Sequence, residues 1–196
     1  MAFGAIEAAA ESLKKGEKLS VLQIDAHADL RKAYEGFEYS HASVMYNVIN
    51  KVKKVESLTQ VAIRDFCLDE YDYIKSHNNI HSFTSKMIHS DLYKGKSWND
   101  ICREISSCLG NNVYISFDID GLDASLCPNT GTPVPGGLEY EQAIYLLETI
   151  AKEHRIVGFD LNEVAPSKDG KDEWDANVGG RLLYKLSLLA ASHILK

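Results

Sequence analysis

Five short apolar runs, at 19–24, 59–63, 80–84, 112–117 and 155–161, recur through a chain of 196 residues. They lack the strict polar alternation of a half-exposed sheet, so each reads as a strand buried on both faces. Around them, apolar residues return near helical spacing at 5–15, 42–54, 68–77, 98–109, 140–154 and 176–193. Ser97 with Asp100 offers an N-terminal cap for the fourth helical stretch, and Gly110 a natural stop. This alternation predicts an α/β fold: a parallel sheet covered by helices on both faces, joined by right-handed crossovers. No internal repeat, low-complexity tract or linker interrupts residues 1–196, which read as a single domain with a substantial core.

The formal net charge of −7 argues against broad binding to nucleic acid or to an anionic membrane surface. No apolar stretch has spanning length and no signal-peptide pattern opens the chain, so a cytoplasmic protein is expected. The four cysteines form no C-x-x-C pair, which favours reduced, structural thiols over a disulfide framework or a zinc site. The chain begins on an apolar helix, Phe3-Gly4-Ala5-Ile6-Glu7-Ala8-Ala9-Ala10, with no strand feeding it. A doubly wound fold usually puts a strand first, so the start reads either as a missing N-terminal portion or as a domain that simply opens with a helix.

Two acidic clusters follow strands: Asp25-Ala26-His27-Ala28-Asp29 after the first, and Asp118-Ile119-Asp120-Gly121-Leu122-Asp123 after the fourth. If the first cluster continues its strand, alternation puts Asp25, His27 and Asp29 on one face; a loop would still keep them in one small volume. Aspartates are also common as solvated turn residues. Two clusters at matching strand ends, where α/β sheets gather their ligands, favour a site instead. Carboxylates with one imidazole suit a hard or borderline divalent ion such as Mn²⁺, and two ions sharing carboxylates would use all five donors. His41, in Ser40-His41-Ala42-Ser43, is a candidate proton shuttle or an ordinary surface histidine. Glu163, after the last strand, is a candidate partner for a cationic substrate or a helix cap. The loop at 128–137, rich in proline and glycine, either walls a pocket or merely connects.

Asp-Ala-His-Ala-Asp-Leu-Arg at 25–31, Ser-His-Ala-Ser at 40–43, Ser-Phe-Asp-Ile-Asp-Gly-Leu-Asp at 116–123, Thr-Gly-Thr-Pro-Val-Pro-Gly-Gly at 130–137 and Glu163-Val164-Ala165-Pro166 together resemble the ureohydrolases, the family of arginases and agmatinases. Tyr34-Glu35-Gly36 resembles the agmatinase branch more than the arginases. The resemblance implies an arginase-like αβα sandwich and a two-manganese centre that hydrolyses a guanidinium to urea and an amine, with agmatine giving putrescine. It implies that Asp25 and Asp118 bridge both ions, that His27 and Asp120 complete one, and that Asp29 serves the other and orients the nucleophile. It makes His41 the proton shuttle and Glu163 the guanidinium partner, and implies a small cationic guanidino substrate and a homo-oligomer. The family also has an upstream Gly-Gly-(Asp/Glu)-His-Ser motif whose histidine binds the same ion as Asp29. Here no histidine precedes His27. The chain thus resembles the carboxyl-terminal two-thirds of an agmatinase, and little or no activity from these residues alone is expected. The alternatives are an inactive relative acting as a binding or oligomerisation partner, and a ureohydrolase acting on another guanidino or formimino compound.

Overall fold

A computed structural model describes residues 2–192. Five parallel strands form one sheet: β1 Leu19–Ile24, β2 Val55–Val61, β3 Ile80–Phe83, β4 Asn112–Asp118 and β5 Arg155–Asn162, in spatial order β3-β2-β1-β4-β5. The helices are α1 Ala2–Ser12, α2 Val44–Lys51, α3 Leu68–Ser76, α4 Ser85–Tyr93, α5 Trp98–Ser107, α6 Tyr140–Glu153 and α7 Trp174–Ala191. The chain builds outward from β1 through β2 to β3, then returns to β4 on the other side of β1 and continues to β5. The β1–β4 boundary is therefore the point at which strand order reverses.

Alternation along the buried strands feeds two cores. Leu22, Ile24, Val113, Ile115 and Phe117 face a cluster containing Ile88 of α4, Ile101 and Ile105 of α5, Leu146 and Ile150 of α6, and Leu182 and Leu186 of α7. Leu19, Val21, Leu58 and Tyr114 face the opposite cluster, with Ile6 and Ala10 of α1, Met45 and Val48 of α2, and Ile74 of α3 packed against it. Phe117 is fully buried, and burying a side chain of that size contributes about 1.5–3 kcal/mol. The expected α/β sandwich, a sheet with helices on both faces, is the observed architecture.

Several boundaries differ from the sequence reading. The strand expected at 59–63 begins earlier, at Val55, because Ser57 is hidden in the sheet by a hydrogen bond to Ser20 Oγ (2.8 Å). It ends at Val61, because Ala62 takes φ +72° and turns the chain. Residues 85–93, to which the pattern assigns no element, form α4, capped by Thr84, whose side chain accepts the Met87 N–H. The fourth expected helix, now α5, is capped as predicted, with Ser97 Oγ accepting the Asp100 N–H at 3.1 Å, but it stops at Ser107, before Gly110. The first helix lies at 2–12 rather than 5–15, and the second is shorter than 42–54 and preceded by a 3-10 turn at His41–Ser43. The last starts at Trp174, and its expected end at His193 lies outside the described residues. Among the described residues no helix is long and apolar enough to cross a membrane, and all four cysteines are free thiols.

Candidate active site

Ile24 of β1 pairs with Phe117 of β4, so Asp25 and Asp118 leave neighbouring strands at the carboxyl edge of the sheet. This is the switch point of the strand order, where open α/β sheets form their crevice. Because β1 ends at Ile24, strand alternation does not gather Asp25, His27 and Asp29; a loop does. Within it the His27 N–H donates to Asp25 Oδ1 (2.7 Å) and Gln23 Nε2 donates to Asp25 Oδ2 (2.9 Å). Asp29 takes φ +55°, and its carbonyl accepts the Met45 and Tyr46 N–H groups at the start of α2. The second loop is locked to the first. Asp118 Oδ1 accepts the Asp120 N–H (3.0 Å), and Asp120 Oδ1 accepts the Ala26 N–H (3.0 Å). Gly121 permits that approach, since a Cβ there would lie 2.8 Å from the Asp25 nitrogen.

The resulting charge density is high. His27 Nδ1 stands 3.1 Å from Asp120 Oδ2 and 3.4 Å from Asp25 Oδ1. Among the described residues no lysine or arginine lies within ion-pair distance of Asp25, Asp29, Asp118 or Asp120. Burial, followed by the Asp25 charge, drives the Asp118 carboxyl up to about 10. Burial likewise lifts Asp25 to about 6 and raises Asp29 well above the ordinary range. The Asp120 and Asp25 carboxylates push His27 up to about 11. Burial opposes the charge on Asp120 too, but the His27 imidazole and the Ala26 N–H outweigh it and hold that carboxyl low.

Such a cluster asks for a cation, and its donor atoms fit one. Ligand atoms of Asp25, His27 and Asp120 lie within 4.8 Å of one another, as do those of Asp118, Asp120 and Glu163. Asp120 Oδ2, fully buried, accepts no hydrogen bond among the described residues. An oxygen-rich set with one imidazole matches Mn²⁺ better than a thiolate-binding metal. Asp29 joins neither triad.

Above the acids lies a cavity of about 420 Å³ lined by Asp25, His27, Asp29, His41, Asp118 and Glu163, with Thr132, Pro133 and Val134 forming a wall. Thus six of the seven residues singled out in the sequence share one cavity, and the seventh, Asp120, is buried at 1% exposure. His41 meets the Tyr34 ring edge-on at 5.4 Å, and among the described residues its imidazole makes no hydrogen bond. Glu163 takes φ +60°, with its backbone carbonyl held by Thr130 Oγ1 (3.1 Å) and its carboxylate free of hydrogen bonds among the described residues. The loop at 128–137 does wall the pocket. A larger groove of about 840 Å³ between α6 and α7 shares no lining residue with this cavity and gathers no comparable set.

Other residues around the site escape the motif reading. Gln23 and Gln60, partners in the β1–β2 register, are linked at 2.7 Å and so brace Asp25 from β2. Their signal was a polar residue inside an otherwise apolar strand. Arg64 and Asp65 follow β2 as the acids follow β1 and β4, and Asp65 Oδ2 lies 3.9 Å from His27 Nε2. Glu70, buried in the first turn of α3, accepts the Leu30 and Cys67 N–H groups and pairs with Arg31 at 3.6 Å.

Residues 1–189 match the model of the arginase family. The chain belongs to the arginase family. Among curated relatives it is 39% identical, over 76% of its length, to an N(1)-aminopropylagmatine ureohydrolase of Thermus thermophilus, of which it covers 47%. It is 30% identical, over 82% of its length, to an agmatinase of Bacillus cereus, covering 51% of that protein. The arginase-family chain therefore spans about half the length of these relatives. A solved proclavaminate amidino hydrolase of Streptomyces clavuligerus superposes with a TM-score of 0.81 at 27% identity, covering 97% of this chain and 61% of that one. An agmatine ureohydrolase of Thermoplasma volcanium gives a TM-score of 0.76 at 25% identity, covering 98% and 60%.

Proposed function

We propose that this site belongs to a manganese-dependent ureohydrolase that releases urea from a linear, cationic guanidino compound, agmatine or its N(1)-aminopropyl derivative. One observation carries the reading: the buried Asp25–His27–Asp120 donor set opens into the same cavity as His41 and Glu163. The printed activities of the curated relatives support the substrate class.

In this reading Asp25, Asp118, His27 and Asp120 would hold the manganese, and Asp29 would serve beside them. When bound, the metal supplies a water-derived nucleophile near neutral pH. The protein's own groups do the rest. The Glu163 carboxylate pairs with the substrate guanidinium, a charge-assisted contact that fixes the carbon to be attacked. Asp29, which lines the cavity, orients the attacking oxygen by accepting a hydrogen bond from it. His41 stands at the rim with a free imidazole, and from there donates a proton to the departing amine nitrogen. Water adds to the guanidinium carbon, the bond from that carbon to the alkyl-bearing nitrogen breaks as the nitrogen takes up a proton, and urea and a primary amine leave.

The test is release of the amine product with Mn²⁺ present, over a panel of agmatine, aminopropylagmatine, arginine and a formimino compound. Release from the two agmatine compounds above the others is expected. Release only from arginine or the formimino compound would overturn the substrate class. Failure to retain Mn²⁺ would overturn the site.

A further inference from the structure

Arg64 makes more hydrogen bonds than any motif residue around the pocket, yet touches none of the carboxylates. Ala62, at φ +72°, redirects the chain after β2. Arg64 and Asp65 then both donate their N–H groups to Ala26 O, at 2.8 and 2.9 Å, which moors this segment to the first acidic loop. The side chain reaches the other way. Nη2 donates to Asp120 O (2.7 Å), Leu122 O (3.2 Å) and Val134 O (2.8 Å). Nε donates to Val134 O (3.2 Å) and Pro135 O (3.1 Å), and Nη1 to Ala62 O (3.2 Å). Among the described residues, the Val134 and Pro135 carbonyls have no other donor. Pro133 and Pro135 themselves lack N–H groups, so this stretch of the wall cannot tie itself down through them. The wall also sits close against the acidic loop: a Cβ on Gly137 would collide with Leu122 O.

We propose that Arg64 is a positioning residue whose guanidinium latches the Thr132–Val134 wall to the Asp120 loop, and so sets the metal donors against the substrate wall. The inference rests on the manganese reading of the pocket. Arginine suits the task because its planar fork serves several acceptors in fixed directions, whereas an ammonium is a single compact donor group. Its charge stays on backbone carbonyls, which leaves Asp25, Asp118 and Asp120 to their own cation. The device joins three segments distant in sequence, at 26, 120–122 and 134–135.

Three variants of this chain decide the matter: Arg64→Met, Arg64→Lys and, as a control remote from the pocket, the cap variant Ser97→Ala. Each is measured by amide hydrogen exchange over 121–138 and by Mn²⁺ titration. Those amides include the pair joining the two loops, Asp123 N–H to Leu138 O and Leu138 N–H to Gly121 O. Arg64→Met is expected to speed exchange there and to lower Mn²⁺ affinity about 10–100-fold, the range for losing a partner that orients a ligand. Arg64→Lys should fall between it and the parent, and Ser97→Ala should leave both readouts alone. A folded Arg64→Met with parental exchange and affinity overturns the proposal, as does an equal loss in Ser97→Ala. If Arg64→Met does not fold, parental behaviour of Arg64→Lys overturns it instead. If the parent takes up no Mn²⁺, the manganese reading fails, and the exchange data alone decide the latch.

Discussion

His41 and Glu163 line the pocket with side chains that make no hydrogen bond to the fold among the described residues. His41 has no hydrogen-bonded ring atom among the described residues, and Glu163 spends only its backbone on structure. Substituting either should therefore cost function rather than stability. In protein that releases urea, His41→Ala is expected to lower turnover about 10²–10⁴-fold, the usual worth of a positioned proton donor, with Mn²⁺ content unchanged. Elemental analysis alongside a urea assay checks this, and a parallel loss of metal would reassign His41 as a ligand. Glu163→Gln keeps the shape and removes the charge. It should weaken substrate use by about 1–1.5 kcal/mol, seen in kcat/KM, because the pairing with the guanidinium loses one of its two charges. Unchanged kcat/KM would remove Glu163 from the substrate site.

At the scale of elements, the site depends on two loops held at backbone contact. Gly121 is where the two acidic loops meet, with the Asp25 nitrogen and the Ile24 carbonyl carbon at 2.8 and 2.9 Å from any added Cβ. Both are backbone atoms and cannot swing aside. Gly121→Ala should destabilise the fold by about 1–3 kcal/mol, as overpacking does, and also weaken Mn²⁺ binding by prising the loops apart. Denaturant titration and metal titration on the same samples separate these effects, and unchanged metal affinity would show that loop spacing does not set the donor geometry. Ser97→Ala, on α5, gives the contrast: a loss of about 1 kcal/mol from an N-terminal cap, with metal affinity intact.

The acidic cluster also makes the stability of the whole molecule depend on pH. In chelated protein Asp118 and His27, raised to about 10 and about 11, hold protons that the unfolded chain has already released. Their contribution is therefore complete below the unfolded values and declines as pH rises toward the folded ones. Asp25, raised to about 6, declines earlier, between the ordinary carboxylate range and pH 6. Each retained proton corresponds to about 1.4 kcal/mol per pH unit, less for the partly exposed His27. Chelated protein should lose thermal stability from pH 6.5 to pH 9. A metal displaces these protons, so Mn²⁺ should stabilise more at the alkaline end. Melting curves with Mn²⁺ or chelator across that range check it, and a chelated protein that gains stability with pH would contradict the assignment.

The strand runs, the helical spacing and the two acidic clusters are local patterns, and they sufficed for the α/β class and the single sheet and for naming five candidate donors, while His41 and Glu163 came from short motifs of their own. Such signals survive in sequence because burial on both faces demands continuous apolar runs, and a strand end projects whatever residues follow it. The order β3-β2-β1-β4-β5 was not legible, since pairing depends on which crossover returns across β1. The α4 helix, with only Ser85 and Ile88 buried, left too faint an apolar stripe to read. Nor did any spacing announce Arg64, Glu70 or the Gln23–Gln60 brace, because their partners lie tens of residues away. Chemistry written in neighbouring residues was determined by the sequence itself. The orientation of that chemistry came from long-range hydrogen bonds to loop backbone, which exist only once the tertiary structure brings the loops together.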